Sequence, residues 1–177
     1  MVPALCWSYS PCSRREYCEK PHPPRLGRSR GPGPRVPRIC DANVLVYAFD
    51  ASAGRKKAAA ERVIARLWEA GTGCLSVQVL QEFFVTVTAK VAQPLPVDQG
   101  ADRIRKFATW TVFAPTAEDV LAAMALHEQA KVSFWDAMVV QAAPESGCDL
   151  LWTEDLNDGQ VLKGVRIRNP FAAEQRI

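Results

Sequence analysis

Histidine and long apolar segments are both scarce in this sequence. The 177 residues include two histidines, and no apolar run approaches the roughly 18 residues that a membrane-spanning helix requires. His22 lies in a proline-rich segment and His127 on an ordinary helix, so neither is a good candidate for a general base. These absences argue against a membrane protein and against chemistry that depends on histidine.

The composition is that of an ordinary soluble domain. The chain is long enough for one domain with a real core, and its contents of 48% hydrophobic and 23% charged residues are unremarkable for a globular protein. Three of the six cysteines, Cys40, Cys74 and Cys148, are scattered through apolar segments. We expect them to be reduced core residues of a cytoplasmic protein.

Positive charge is concentrated at the N-terminal end. Residues 1–39 hold eight basic and two acidic residues, whereas residues 40–177 hold 14 basic and 17 acidic ones. The overall net charge of +3 is therefore positive only because of the first segment, since the body has more acidic than basic residues. A mildly acidic body argues against a broad nucleic-acid-binding face, although it allows a small basic rim around an acidic site.

The composition changes near residue 38. Residues 1–39 hold eight of the 13 prolines and have no helical or strand periodicity. We therefore predict a disordered tail over residues 1–36, followed by one domain over residues 37–177. The segment does not fit a secretory signal, because its apolar start is short and its basic residues follow that start instead of preceding it. A transit peptide would hold less proline. We favour a start site annotated upstream of the true one, since GC-rich non-coding sequence yields Arg, Pro and Gly.

Four residues of this tail leave a second interpretation open. Their spacing resembles a zinc finger with three thiolate ligands and one imidazole, a set that suits tetrahedral zinc. Loose spacings of this kind also arise by chance. The residues are Cys6, Cys12, Cys18 and His22.

The body alternates short apolar runs with amphipathic helical segments. This alternation predicts an α/β fold with a central, mostly parallel sheet and helices on both faces. The expected strands cover residues 36–40, 111–114, 150–153 and 165–168, and the expected helices cover residues 54–70, 75–91 and 98–108 and begin at Thr116 and Ser133. Ligands of such sheets bind beyond the carboxyl ends of the strands.

Carboxylates stand where this fold places its ligands. Asp41 follows the first strand, Asp155 follows the strand at 150–153, and Asp136 lies in the first turn of a helix. Glu82 lies in a helix among apolar residues, where an unpaired buried charge would be costly. Carboxylates gathered at one sheet edge repel each other unless a divalent cation joins them. All-oxygen ligands favour Mg²⁺ or Mn²⁺ over zinc.

Four segments resemble, in order, the motifs of VapC-type PIN-domain toxins, and the resemblance spans about residues 37–171. The segments are residues 41–48 (DANVLVYA), 76–84 (SVQVLQEFF), 133–137 (SFWDA) and 151–159 (LWTEDLNDG). The sequence departs from the family at Ala42, where Thr or Ser is usual. It also departs at Pro144, which is expected to kink or shorten its helix.

The resemblance implies a PIN-like α/β/α sandwich and a Mg²⁺- or Mn²⁺-dependent endoribonuclease. Asp41, Glu82, Asp136 and Asp155 would be the catalytic, metal-binding acids, with Asn43 and Ser133 in support. It further implies a homodimer, an RNA substrate and a cognate antitoxin. Candidate contacts for RNA are Arg55, Lys56, Lys57, Arg103, Arg105 and Lys106, although solvated helix faces explain the same residues.

Two other functions stay open at this point. A PIN-like module that binds RNA or a partner without cutting would not need all four acids. A phosphatase or response-regulator-like domain also gathers acids at strand ends. It would require a phospho-accepting Asp with a suitably placed Lys or Thr, and no motif here supplies that set.

Overall fold

The computed structural model describes residues 36–172. The proposed zinc ligands, and all of the predicted tail except Val36, lie outside the described residues. Within them, six strands form one sheet: β1 (Arg38–Cys40), β2 (Gly73–Ser76), β3 (Thr111–Phe113), β4 (Leu150–Trp152), β5 (Val161–Leu162) and β6 (Val165–Arg168).

The sheet is mostly parallel, as predicted. Its strand order is β3-β2-β1-β4-β6-β5. All neighbouring strands pair in parallel except β5 and β6, which form an antiparallel edge. Strand β1 lies between β2 and β4. From β1 the chain adds β2 and β3 on one side and then crosses to add β4, β6 and β5 on the other side. The carboxyl end of such a central strand is where open α/β sheets bind their ligands.

Helices flank the sheet and begin at residues that can cap them. The side chains of Asp41, Ser76, Thr116 and Ser133 each accept a hydrogen bond from a backbone N–H of the helix that follows. The described residues form six α-helices: α1 (Ala42–Phe49), α2 (Arg55–Ala70), α3 (Val77–Ala89), α4 (Val97–Phe107), α5 (Ala117–Ala130) and α6 (Phe134–Glu145).

Several predicted boundaries are confirmed. Gly71 ends α2 in a left-handed conformation, with φ of 61°. Helix α5 begins after Thr116, as predicted, and Thr116 and Asp119 form a capping box there. Helix α6 begins after Ser133 and runs through Pro144, ending one residue later at Glu145. Proline is tolerated there because little of the helix follows it.

Other predictions were wrong or incomplete. The helix expected over residues 75–91 begins at Val77, because Leu75 and Ser76 belong to strand β2. The apolar run after Asp41, to which the sequence assigned no secondary structure, is helix α1. Strand β5 was not predicted. Continuous apolar runs do not distinguish a short buried strand from a buried helix, which explains why β2 and α1 were missed.

The core lies between the sheet and its helices. The side chains of Ile39, Leu75, Leu151 and Ile167 on four parallel strands are all at most 1% exposed. Phenylalanine rings from α1, α3 and α4 pack edge to face beside them, with centroids 5.6–6.0 Å apart. Among residues 36–172, no helix is both long and apolar enough to cross a membrane.

Candidate functional site

Asp41 stands at the carboxyl end of the central strand. Its backbone N–H donates to the carbonyl oxygen of Trp152 on β4, at 2.9 Å. Its side chain caps α1, with Oδ1 accepting from the N–H of Ala42 at 2.7 Å. The other carboxylate oxygen accepts from the hydroxyl of Thr153, also at 2.7 Å. The side chain is therefore held firmly, and Asp41 is only 6% exposed.

Asn43 and Thr153 connect Asp41 to Asp155. The amide nitrogen of Asn43 donates to Oδ2 of Asp155 at 2.8 Å, and lies 3.2 Å from the Thr153 hydroxyl and 3.3 Å from Asp41. The Thr153 hydroxyl also accepts from the N–H of Asp155 at 3.2 Å. The predicted supporting position of Asn43 matches this geometry. Thr153 was not singled out from the sequence, although a buried Thr two residues before a strand-end acid was a usable signal.

Ser133 orients Asp136 at the start of α6. The Ser133 hydroxyl donates to Oδ2 of Asp136 at 2.7 Å and accepts from the N–H of Asp136 at 3.1 Å. The capping geometry thus fixes the first turn of the helix and directs its carboxylate. The resemblance to PIN toxins implied a supporting role for Ser133, and the structure places its hydroxyl beside Asp136.

Three of the four predicted acids meet at one point. One carboxylate oxygen each from Asp41, Asp136 and Asp155 can be chosen so that all three lie within 4.8 Å of one another. Glu82 lines the same cavity, of about 210 Å³, but does not belong to this close group. The cavity is lined by Asp41, Gln78, Glu82, Ser133, Trp135, Asp136, Val139 and Asp155.

The reasoning that singled out Glu82 needs correction. Its position among apolar residues of α3 suggested a buried charge, but Glu82 is exposed while its neighbour Phe83 is fully buried. Residues one apart on a helix point about 100° away from each other, so a core residue and a solvent-facing one can be adjacent. The case for Glu82 therefore depends on its place at the cavity and not on burial.

The acids affect one another's ionisation. Burial, and to a smaller extent the charges of Asp155 and Glu82, raise the pKa of Asp41 from 3.8 to about 7, against the opposing hydrogen bonds from Thr153 and Ala42. Burial and the charge of Asp155 also raise the pKa of Glu82 and of Asp136. The raised pKa values mean that burial, with a smaller contribution from neighbouring negative charges, disfavours the ionised carboxylates.

This donor set fits a hard divalent cation. The three close ligands are all carboxylate oxygens, and among the described residues neither His nor Cys belongs to the group. Oxygen ligands of this kind suit Mg²⁺ or Mn²⁺. A cation at the cluster would favour the ionised carboxylates, against the burial and the smaller repulsion that raise the pKa of Asp41.

A polar cluster stands behind Asp155. The Lys56 ammonium donates to Glu154 at 2.6 Å and to the Tyr47 hydroxyl at 3.2 Å, and Tyr47 donates to the same carboxylate. Lys56 was a candidate for RNA binding, but it is paired with Glu154. Of the other candidates, Lys57 pairs with Glu61 and Arg105 with Asp102 on exposed helix faces.

The fold and the cluster together define an α/β domain with three close carboxylates, which could hold a cation, at the carboxyl ends of its central strands. The model of the PIN domain family matches residues 38–158. The chain therefore belongs to the PIN domain family, as the four sequence motifs indicated. A comparison with curated proteins finds no match.

Solved structures show the same fold. The chain is similar to a toxin–antitoxin complex from Klebsiella pneumoniae, with 18% identity, a TM-score of 0.56 and coverage of 75% of this chain and 97% of that one. It is also similar to DNA-bound VapBC from Salmonella typhimurium, with 16% identity, a TM-score of 0.54 and coverage of 76% and 98%. The third is VapBC2 from Rickettsia felis bound to a DNA fragment from their promoter, with 16% identity, a TM-score of 0.53 and coverage of 75% and 97%.

Proposed function

We propose that this protein is a Mg²⁺- or Mn²⁺-dependent endoribonuclease that hydrolyses RNA phosphodiester bonds. The observation that carries the proposal is the meeting of Asp41, Asp136 and Asp155 within 4.8 Å at the end of the central strand of a PIN domain. A domain that only bound a partner would have no use for a cluster whose acids raise one another's pKa values.

Each acid has a distinct place in the proposed site. Asp41, Asp136 and Asp155 would hold the cation, and Glu82 would complete the ligand set or face the substrate from the cavity wall. When bound, the metal supplies hydroxide from water near neutral pH and offsets the charge that develops on the reacting phosphate. No nucleophile from the protein is required.

The surrounding hydrogen bonds would keep the carboxylates ready for a cation. Asn43 and Thr153 hold Asp41 and Asp155 in fixed relation, and Ser133 holds Asp136. Such outer partners usually matter because they set the direction of the ligand oxygens and avoid reorganisation on binding. Ala42 offers no hydroxyl where many PIN toxins have one, and Thr153 supplies a hydroxyl to the same acid.

The biological role that we propose is the toxin of a toxin–antitoxin pair. The support is the sequence resemblance to VapC-type toxins together with the similarity of the fold to chains from toxin–antitoxin structures. On this proposal the protein is cytoplasmic, forms a homodimer, and is held inactive by a cognate antitoxin. The alternative is a PIN-like module that binds RNA or a partner without cutting.

Cleavage of a mixed cellular RNA pool by the purified protein tests the proposal, after any antitoxin has been removed. Discrete products are expected with Mg²⁺ or Mn²⁺, and none with a chelator or with Asp136→Asn. Asp98→Asn is a matched control, because Asp98 is exposed in the first turn of α4 and outside the acidic cavity. A folded, metal-binding protein that cuts no RNA in the pool would favour the binding module. Absence of metal binding would refute the site itself.

A further inference from the structure

Trp135 is an exposed aromatic residue at the rim of the acidic cavity. It directly precedes Asp136, and 63% of it is exposed. The only ring contact that it makes among the described residues is an edge contact with Phe134, with centroids 5.3 Å apart. A single exposed apolar residue is ordinary on a protein surface. One that lines a catalytic cavity, with its face open, is a candidate for contact with substrate.

A second cavity, of about 370 Å³, adjoins the acidic one. The two cavities share Gln78, Glu82 and Trp135, and we treat them together as one cleft along α3 and the start of α6. The second cavity combines an aromatic ring, amide groups and a lysine. Its lining residues are Gln78, Gln81, Glu82, Val85, Lys90 and Trp135.

Gln78 connects the two helices that line the cleft. Its amide nitrogen donates to the backbone carbonyl oxygen of Trp135 at 3.4 Å, which connects α3 to the start of α6. Its side-chain oxygen is buried and has no hydrogen-bond partner among the described residues. Because that oxygen is closed off from solvent, Gln78 holds the Trp135 backbone in place and offers no acceptor to a bound ligand.

Lys90 supplies a positive charge to the second cavity of the cleft. It caps the C-terminus of α3, is exposed, and forms no ion pair with the residues that the structure describes. Its charge acts on Glu82, since it opposes the rise in the pKa of that carboxyl. An unpaired ammonium beside an acidic cavity gives a phosphate group a favourable place to approach.

We infer that Trp135 and Lys90 form a subsite for an unpaired nucleotide of the RNA strand, next to the acidic cluster, with Gln78 holding the Trp135 backbone. In this arrangement a base stacks on the Trp135 ring and a neighbouring phosphate lies against Lys90. Stacking on an aromatic face accepts any base, whereas a paired base cannot reach the ring. The inference rests on the proposed ribonuclease function and adds a preference for single-stranded RNA.

Binding of a fluorescently labelled single-stranded RNA of mixed sequence tests the subsite. Fluorescence anisotropy is measured for the wild-type protein with Ca²⁺ in place of Mg²⁺, after a check that the strand stays intact. Trp135→Ala is expected to weaken binding by about tenfold to a hundredfold, and Trp135→Phe by less, because phenylalanine keeps a smaller stacking face. Lys90→Ala is expected to lower the slope of log affinity against log salt by about one. Trp68→Phe is the control, since Trp68 packs on Phe107 and Trp110 outside both cavities.

The outcomes separate this inference from the ribonuclease proposal. If the wild type cleaves RNA but Trp135→Ala binds the strand as the wild type does, the subsite is refuted and the nuclease stands; Trp135 would then serve a protein partner. The same measurement is made with the RNA duplex that contains this strand. If Trp135→Ala loses as much affinity for the duplex as for the single strand, stacking is also refuted. If the wild type neither binds nor cleaves RNA, the proposed function fails and the subsite fails with it.

Discussion

Replacing Asp41 with asparagine is expected to stabilise the metal-free protein while it removes metal binding. Burial and the neighbouring acids raise the pKa of Asp41 from 3.8 to about 7. The folded protein therefore binds more protons than the unfolded chain between about pH 4 and pH 7, so stability falls as the pH rises through this window. Above pH 7 the folded wild type carries the full free-energy cost of an ionised, buried Asp41. The asparagine variant has no charge at this position and does not carry that cost.

The size of the effect follows from the pKa and the hydrogen bonds. A rise from 3.8 to about 7 corresponds to about 4 kcal/mol of destabilisation once Asp41 is fully ionised. Asparagine keeps the bond to the N–H of Ala42 and still caps α1, but it crowds the Thr153 hydroxyl, at a cost of about 1 kcal/mol. The expected net gain is about 3 kcal/mol above pH 7. In a chain of this length that corresponds to a rise of about 10 °C in Tm.

Thermal unfolding of both proteins across pH 4 to 8, with chelator and with excess Mn²⁺, is the measurement. With chelator, the Tm of Asp41→Asn should be higher than that of the wild type at pH 8 and close to it at pH 4. With Mn²⁺ only the wild type should gain stability, because a ligand that binds the folded state alone adds to it. Asp98→Asn, which changes an exposed acid in the first turn of α4, should follow the wild type in every condition. A mutant less stable than the wild type with chelator at pH 8 would refute the account of Asp41.

Three further substitutions test the surroundings of the site and the core. Thr153→Val removes the hydroxyl that joins Asp41 to its neighbours and should lower Mn²⁺ affinity in calorimetry by about tenfold to a hundredfold; unchanged affinity would refute its orienting role. Lys56→Met leaves the Glu154 carboxylate, 14% exposed, without its ion partner and should cost about 1–3 kcal/mol in urea unfolding; no change would mean that water replaces the partner fully. Gly73→Ala places a Cβ within 2.5 Å of three atoms of the Trp110 ring and should cost about 1–3 kcal/mol; an unchanged Tm would mean that the ring moves freely.

The positions of the three close acids were predictable because chain geometry dictates them. Asp41 and Asp155 follow strands β1 and β4, which are parallel neighbours in the sheet. Their carboxyl ends therefore meet at one edge whatever the details of packing. Asp136 follows from Ser133, because a serine cap three residues ahead of an acid sets the direction of that acid.

Other features depend on tertiary contacts that local patterns do not contain. Strand β2 is a four-residue, fully buried run followed directly by a helix, so its apolar pattern continues into α3 without a break. The hydrogen bond between Asn43 and Asp155 joins residues 112 positions apart. Only the motif resemblance, and no periodicity, pointed to the role of Asn43, and the position of Thr153 before a strand-end acid was a signal that the sequence interpretation did not use.

The energetic cost of the acidic cluster falls mainly on one residue. Asp41 is 6% exposed and carries the large pKa shift, whereas Asp136 is half-buried and Asp155 is exposed. Two helix N-termini face the cluster, since Asp41 caps α1 and Asp136 lies in the first turn of α6. Their partial positive charges oppose the repulsion without abolishing it. The buried acid follows the central strand, and the two more accessible acids leave the site open to solvent. A cation can therefore enter the site and offset the cost of the buried charge. We expect the stability of the fold to rise as the site becomes occupied by a cation.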